Sequence, residues 1–214
     1  MNLLWADRPR LVLASGSPRR LELLRQLGLS FEVRPPEVDE RLLPDERPEA
    51  AAERLGREKA LRSAGPGVLS LGCDTLVVHG GAILGKPGSP AAAAAMLERL
   101  SGQQHVVFTG IALATPDRIE SAVEATRVWF RPLSMREREE YVATGEPLDK
   151  AGAYGIQGFG AAIVERIDGD YFNVMGLPVR RLLELFERFD LRYAFGELVP
   201  LELAGDKPRP GEDS

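Results

Sequence analysis

HVVFTGIALATPDRIESAVEATRVWF, residues 105–130, holds two runs rich in β-branched and apolar residues around a single Pro116-Asp117 turn. The pattern reads as two long antiparallel strands joined by a short connection. It decides the fold, because the segments before it follow a different rule. Upstream, short apolar runs alternate with helical patterns, which is how strand–helix–strand units and parallel pairing are written. An antiparallel pair set into that alternation makes the expected architecture α/β, with a mixed, twisted sheet and flanking helices.

Working outward, LVLA (11–14) is a short strand, and a helix begins near Pro18, since proline suits a first helical position. Leu21, Leu24 and Gly28 share one face of that helix. FEV (31–33) reads as a strand, and RPPEVDERLLPDERP (34–48) as an exposed loop. A helix follows over 49–64, and VLSLGCDTLVV (68–78) is a buried strand that turns through HGGAIL (79–84). Ser89 and Pro90 open the next helix, and Ser134 with Glu137 forms a capping box for another. GEPLDKAGAYGIQGFG (145–160) carries too many glycines for helix or strand and reads as a long functional loop. AAIVERIDGDYFNVM (161–175) reads as a hairpin turning at Asp168-Gly169, and 177–189 as a last helix. No repeat or linker divides the chain. Residues 1–204 are expected to form one domain, with 205–214 a disordered tail.

Net charge is −5, without the basic excess of a nucleic-acid binder. Any anionic ligand must therefore be held by a local cluster of cations. Cys73 is the one cysteine, which excludes an intrachain disulfide and fits a reducing compartment. His79 and His105 do not sit at metal-ligand spacing. No run approaches the ~18 apolar residues of a membrane span. The opening MNLLWADRPR meets charge by Asp7 and lacks a signal-peptide core. The expected location is the cytoplasm, with no membrane or nucleic-acid partner.

SGSPRR (15–20) puts Ser15, Gly16 and Ser17 at a helix N-terminus, a natural phosphate site. Arg19 and Arg20 would be forks aimed at phosphate oxygens. The same pattern fits a solvated, capped helix with surface arginines. Asp74 stands in an apolar strand beside Gly72 and Ser70 on its own face. A carboxylate there needs a pairing partner or a metal, so it reads as a ligand or general base, or as a tied structural group. Cys73 reads as a small core residue. Lys59 in REKA and Lys86 in LGKP each read as surface lysines when taken alone. Gln157 offers an amide that donates and accepts side by side, matching the N3–H and carbonyl of uracil or thymine. Tyr154 and Phe159 have the shape to stack on a base, although buried packing is commoner. Glu37, Asp39 and Glu40 form an acidic patch, one member of which could hold a cation.

Taken in order, LASGSPRRLELL, EVDE, REKA, GCDTLVV, LGKP, EPLDKAGAYGIQGFGA and YFNVMGLP resemble the Maf family of nucleoside triphosphate pyrophosphatases over about residues 11–189. DKAGAYGIQG is most similar to the subgroup acting on dTTP and UTP; the sister subgroup acting on 7-methyl-GTP tends to carry an acidic residue at the position of Gln157. The resemblance implies a fold like that of inosine triphosphate pyrophosphatases, with two lobes around a substrate cleft. It implies that Asp74 is the catalytic proton acceptor and that Arg19, Thr75 and Gln157 set specificity. It relates Ser15, Arg20, Lys59 and Lys86 to phosphate, and Glu40 with Asp74 to a divalent cation, Mg²⁺ or Mn²⁺. It also makes a homodimer plausible and implies removal of surplus or modified nucleotides. The family name is associated with inhibition of septum formation, so a nucleotide-binding regulator is the competing reading, as is a pyrophosphatase for another modified nucleotide.

Overall fold

The computed structural model describes residues 9–201, and the tail expected at 205–214 lies outside them. The chain begins β1 (Arg10–Leu13), α1 (Pro18–Gln26), β2 (Glu32–Val33), α2 (Pro48–Ser63), β3 (Val68–His79). The strands β2, β1 and β3 pair in parallel. The stretch at 105–130 becomes β5 (Gln104–Ala114) and β6 (Ile119–Phe130), and both join antiparallel, as does β7 (Val164–Asp168). The order β2-β1-β3-β5-β6-β7 is thus one mixed sheet, as the sequence pattern requires.

β4 (Ala82–Leu84) turns back along β3 through Gly80 and Gly81, both at positive φ, the backbone that a tight hairpin demands. The edge of β3 that meets β4 also meets β1, and the two do not touch along it. β1 ends at Leu13, opposite Leu71, while β4 first pairs at Val77. Residues 72–76 of β3 therefore face an interval in the edge with no strand beside them among the described residues.

Side-chain parity divides what lies on the two faces of β3. Leu69, Leu71 and Cys73 join a core with Leu24 of α1 and with Leu182 and Phe186 of α6 (Val179–Arg188). Cys73 is fully buried in it, and burial pushes its thiol up to about 11. The opposite face presents Gly72, with Gly110 and Ala112 on β5, and carries α2. A Cβ at Gly72 would stand 3.0 Å from Ala60 Cα and closer still to Gly56 O and Ala60 N. One at Gly110 would collide with the backbone of Ala52. These glycines let the helix lie flush on the strands. A second apolar cluster gathers Val107, Phe130 and Tyr154 against α3 (Pro90–Leu100) and α4 (Met135–Ala143). Ser89 and the Ser134–Glu137 box cap these two helices as expected.

Three segments differ from expectation. The loop at 145–160 coils into three short 3₁₀ turns. The hairpin expected over 161–175 is a strand followed by a helix: β7 stops at Asp168, and α5 (Tyr171–Met175) follows. The cause is local. The Asp170 carboxylate accepts from the Phe172 N–H at 2.8 Å and starts the helix, and Gly176 at φ 97° stops it. A small hairpin, β8 (Leu191–Tyr193) with β9 (Leu198–Pro200), closes beyond α6 and was not expected. No helix among the described residues is long and apolar enough to cross a membrane.

Candidate active site

The interval in the edge of β3 opens into a cleft of about 800 Å³. The β1–α1 turn, α2, β3, β4 and the 149–156 segment all contribute to its walls. Asp74 and Thr75 sit in the middle of the interval and, as neighbours on a strand, leave it on opposite faces. Each has its own cation.

On the helix-bearing face, α2 delivers Lys59. Its ammonium donates to Asp74 Oδ1 at 2.6 Å and pairs with Glu40 Oε1 at 2.6 Å. Lys59 is 9% exposed, so REKA does not carry a surface lysine. The close seating of α2 over Gly72 is what brings the two groups together. Glu40 comes from the proline-rich loop and is exposed, and the Lys59 ammonium holds its carboxyl below the usual range. One ammonium spanning two carboxylates is an arrangement a divalent cation could share. No three such ligands converge among the described residues, so a cation here must fill its shell with substrate oxygens and water.

On the other face, Arg20 is buried and drawn inward. Nε donates to the Gly176 carbonyl at 2.7 Å, Nη1 to Ser15 Oγ at 2.9 Å, and Nη2 to Thr75 Oγ1 at 3.0 Å. Thr75 pairs across the ladder with Thr109, their hydroxyls 3.0 Å apart, and Thr109 donates to the Asn173 carbonyl at 3.0 Å. Thr109 has one proton to give, so Thr75 must donate to Thr109 and accept from Arg20. The Thr75 hydroxyl therefore has a fixed orientation. The Asn173 amide is itself locked by Val107 O at 3.0 Å and Thr126 Oγ1 at 2.9 Å. Of the five N–H groups of Arg20, these bonds use three.

Arg19 also lines the cleft and is half-buried. Burial pushes its pKa down, and the Asp149 carboxylate opposes that. The adjacent arginines of SGSPRR thus differ: one is tied into the fold and the other faces the 145–160 segment. Ser15 accepts from Ser17 N–H at 3.2 Å as well as from Arg20, and Ser17 itself makes no side-chain cap. Lys86 is exposed on the cleft wall beyond β4. Gln157 is exposed and stands next to Gly155 and Ile156, which line the cleft. Tyr154 is buried, its hydroxyl 2.8 Å from His105 Nε2, whereas Phe159 is 67% exposed.

Reading the sequence missed Thr109, Asn173 and Gly176, whose parts depend on strand register and on α5. It also missed Glu146 and Tyr141, which bond each other at 2.8 Å behind the 155–160 segment. Asn173 and Gly176 do lie in the quoted YFNVMGLP, the one signal that pointed at them.

The chain matches the family described as Maf-like protein over residues 10–189. A dTTP/UTP pyrophosphatase of Moorella thermoacetica is 53% identical over 185 residues, which is 84% of this chain and 95% of that one. One from Symbiobacterium thermophilum is 50% identical over 182 residues, 84% of this chain and 94% of its own. One from Pectobacterium atrosepticum is 50% identical over 192 residues, 88% and 98% of the two chains. The matched span holds every strand of the large sheet and both walls of the cleft, and on it the chain belongs to the Maf-like protein family.

Proposed function

We propose that this chain is a nucleoside triphosphate pyrophosphatase that hydrolyses dTTP and UTP to the monophosphate and pyrophosphate. The observation that carries the reading is the convergence of Arg19, Arg20, Lys59 and Lys86 on one cleft with Asp74 and Glu40, in a chain of net charge −5. Four cations suit a triphosphate, whose neutralisation is most of the catalytic task. The names of the relatives support the same substrates.

In the reaction a water oxygen bonds to the α-phosphorus and the bond from that phosphorus to the bridging oxygen breaks, releasing pyrophosphate. Asp74 accepts the water's proton at Oδ2, because Lys59 engages Oδ1. Lys59 has a third N–H left for a phosphate oxygen. Arg20 keeps two N–H groups for phosphate, with its plane set by Gly176, Ser15 and Thr75. A Mg²⁺ or Mn²⁺ ion would be held by Asp74 and Glu40 and, when bound, supplies positive charge at the phosphates. Gln157 and Arg19 meet the nucleoside end at the rim, and Thr75 with them sets specificity. A role in binding alone would leave Asp74 and Glu40 repelling the phosphates. The cytoplasm is the location this reading calls for.

The test is a panel of nucleoside triphosphates with Mg²⁺, with products identified. Pyrophosphate and monophosphate from dTTP and UTP are expected. Orthophosphate as the first product, or no turnover of any member, would overturn the proposal.

A further inference from the structure

The segment that carries Gln157 is wrapped around one carboxylate. Glu146 stands in the first 3₁₀ turn, half-buried and outside the lining of the cleft. Its Oε1 accepts from the Tyr141 hydroxyl at 2.8 Å and from the Gly160 N–H at 3.0 Å. Its Oε2 accepts from the Phe159 N–H at 2.9 Å. The Tyr141 hydroxyl in turn accepts from the Gly155 N–H at 3.2 Å. Backbone donors on both sides of Gln157 thus end on Glu146 and its tyrosine partner. Gly158, at φ +65°, completes the wrap, because a Cβ there would lie 2.5 Å from Glu146 Oε2.

We infer that Glu146 is a positioning residue for nucleotide selectivity: with Tyr141 it fixes the 155–160 segment, and so the Gln157 amide, without touching the nucleotide. This rests on the reading that Gln157 recognises the base.

The chemistry of the donor set makes the claim specific. Three donors converge on Glu146, and a carboxylate offers only acceptors. An amide of equal size can present one oxygen. Its NH₂ must then face either the Phe159 N–H or the donors at Gly160 and Tyr141. Glu146→Gln therefore replaces an attraction with a donor–donor contact at constant volume. Tyr141→Phe removes the link to Gly155 and leaves the carboxylate bonds to Phe159 and Gly160. A purely structural role would lower activity toward every nucleotide alike. A positioning role changes the ratio between nucleotides of opposite donor and acceptor order at the edge Gln157 meets.

The probes are dTTP and dCTP, alike in sugar and phosphates and opposite in their donor and acceptor order at N3 and C4. The ratio of their kcat/KM values is measured for wild type, Gln157→Ala, Glu146→Gln, Tyr141→Phe and the Glu146→Gln/Gln157→Ala double variant. Hydrogen exchange of the Phe159 and Gly160 amides is followed in parallel. Glu146→Gln is expected to lower the dTTP preference by about tenfold, the loss appearing in KM for dTTP with dCTP little changed. Tyr141→Phe lowers it less. The double variant matches Gln157→Ala alone, and the two amides exchange faster while those of β3 and β5 do not. If Gln157→Ala loses the preference and Glu146→Gln keeps it, the inference falls and the base reading stands. Equal losses for dTTP and dCTP, or effects that multiply in the double variant, also overturn it. If Gln157→Ala leaves the ratio unchanged, the base reading falls and the selectivity role of Glu146 falls with it.

Discussion

Replacing Gly72 with alanine tests whether the seating of a helix sets the chemistry of the cleft. The new methyl would point into α2, 3.0 Å from Ala60 Cα and closer to Gly56 O and Ala60 N. Carbon atoms in comfortable contact sit about 3.5–4.0 Å apart, so the helix must withdraw by roughly 1 Å. None of the obstructing atoms belongs to a flexible side chain. Overpacking of this kind costs about 1–3 kcal/mol. The displacement falls on Ala60, next to Lys59, whose ammonium must stay 2.6 Å from Asp74. A misplacement of about 1 Å in a catalytic array costs on the order of 10²-fold in rate. Equilibrium urea denaturation and pyrophosphate release from dTTP should both register the change, turnover by the larger factor. Gly56→Ala is the milder companion, since its methyl would meet Gly110 O at 2.9 Å and gains helix propensity of about 1 kcal/mol. Gly65→Ala meets nothing within 4 Å and should match wild type. A Gly72→Ala protein with wild-type turnover would show that the seating of α2 does not govern the Lys59–Asp74 contact.

Asp74→Asn removes the proposed proton acceptor and leaves Lys59 paired with Glu40, so turnover should fall about 10²–10⁴-fold with the melting temperature nearly held; near-normal rates would remove Asp74 from the reaction. Burial pushes the pKa of His105 down to about 3 from an ordinary 6.5. Below pH 6.5 the unfolded chain takes up a proton that the folded chain refuses, so the contribution is complete above pH 6.5 and is lost as pH falls toward 3. Between pH 7 and pH 5 the loss is about 2 kcal/mol, and His105→Gln, which can still bond the Tyr154 hydroxyl, should abolish that share of the slope in urea titrations. An unchanged slope would mean that the imidazole does titrate in the folded state.

What could be read from the sequence depended on the range over which each residue acts. The Ser134–Glu137 box and the Ser89 cap are written within one helical turn and hold. Asp74 stood out because Gly72 and Ser70 share its face, and the reason is now concrete: the small residues leave room for a helix bearing Lys59. The burial of Lys59 could not be read from REKA, because it comes from the packing of α2 on β3, where its partner Asp74 lies fifteen residues later. Thr109 is one threonine among several until strand pairing places it opposite Thr75. The error at 161–175 came from treating Asp168-Gly169 as a turn between strands, when Asp170 two residues on was the stronger signal, a helix cap.

The unpaired interval on β3 fixes how the two walls of the cleft can move. β1 with α1 forms one wall and β4 with its following segment the other, and no strand pairing ties them directly along that edge. They are joined through β3 and, behind it, through the ladder to β5. A motion that carries β1 toward β4 as bodies is therefore taken up as twist in β3 and its ladder to β5, whereas the loops on the lining can close over the cleft without it. Asp74 and Thr75 sit on β3 within that ladder, so such a twist around a triphosphate would turn the proposed proton acceptor and the proposed specificity hydroxyl together. Grip and chemistry would then share one mechanical coordinate.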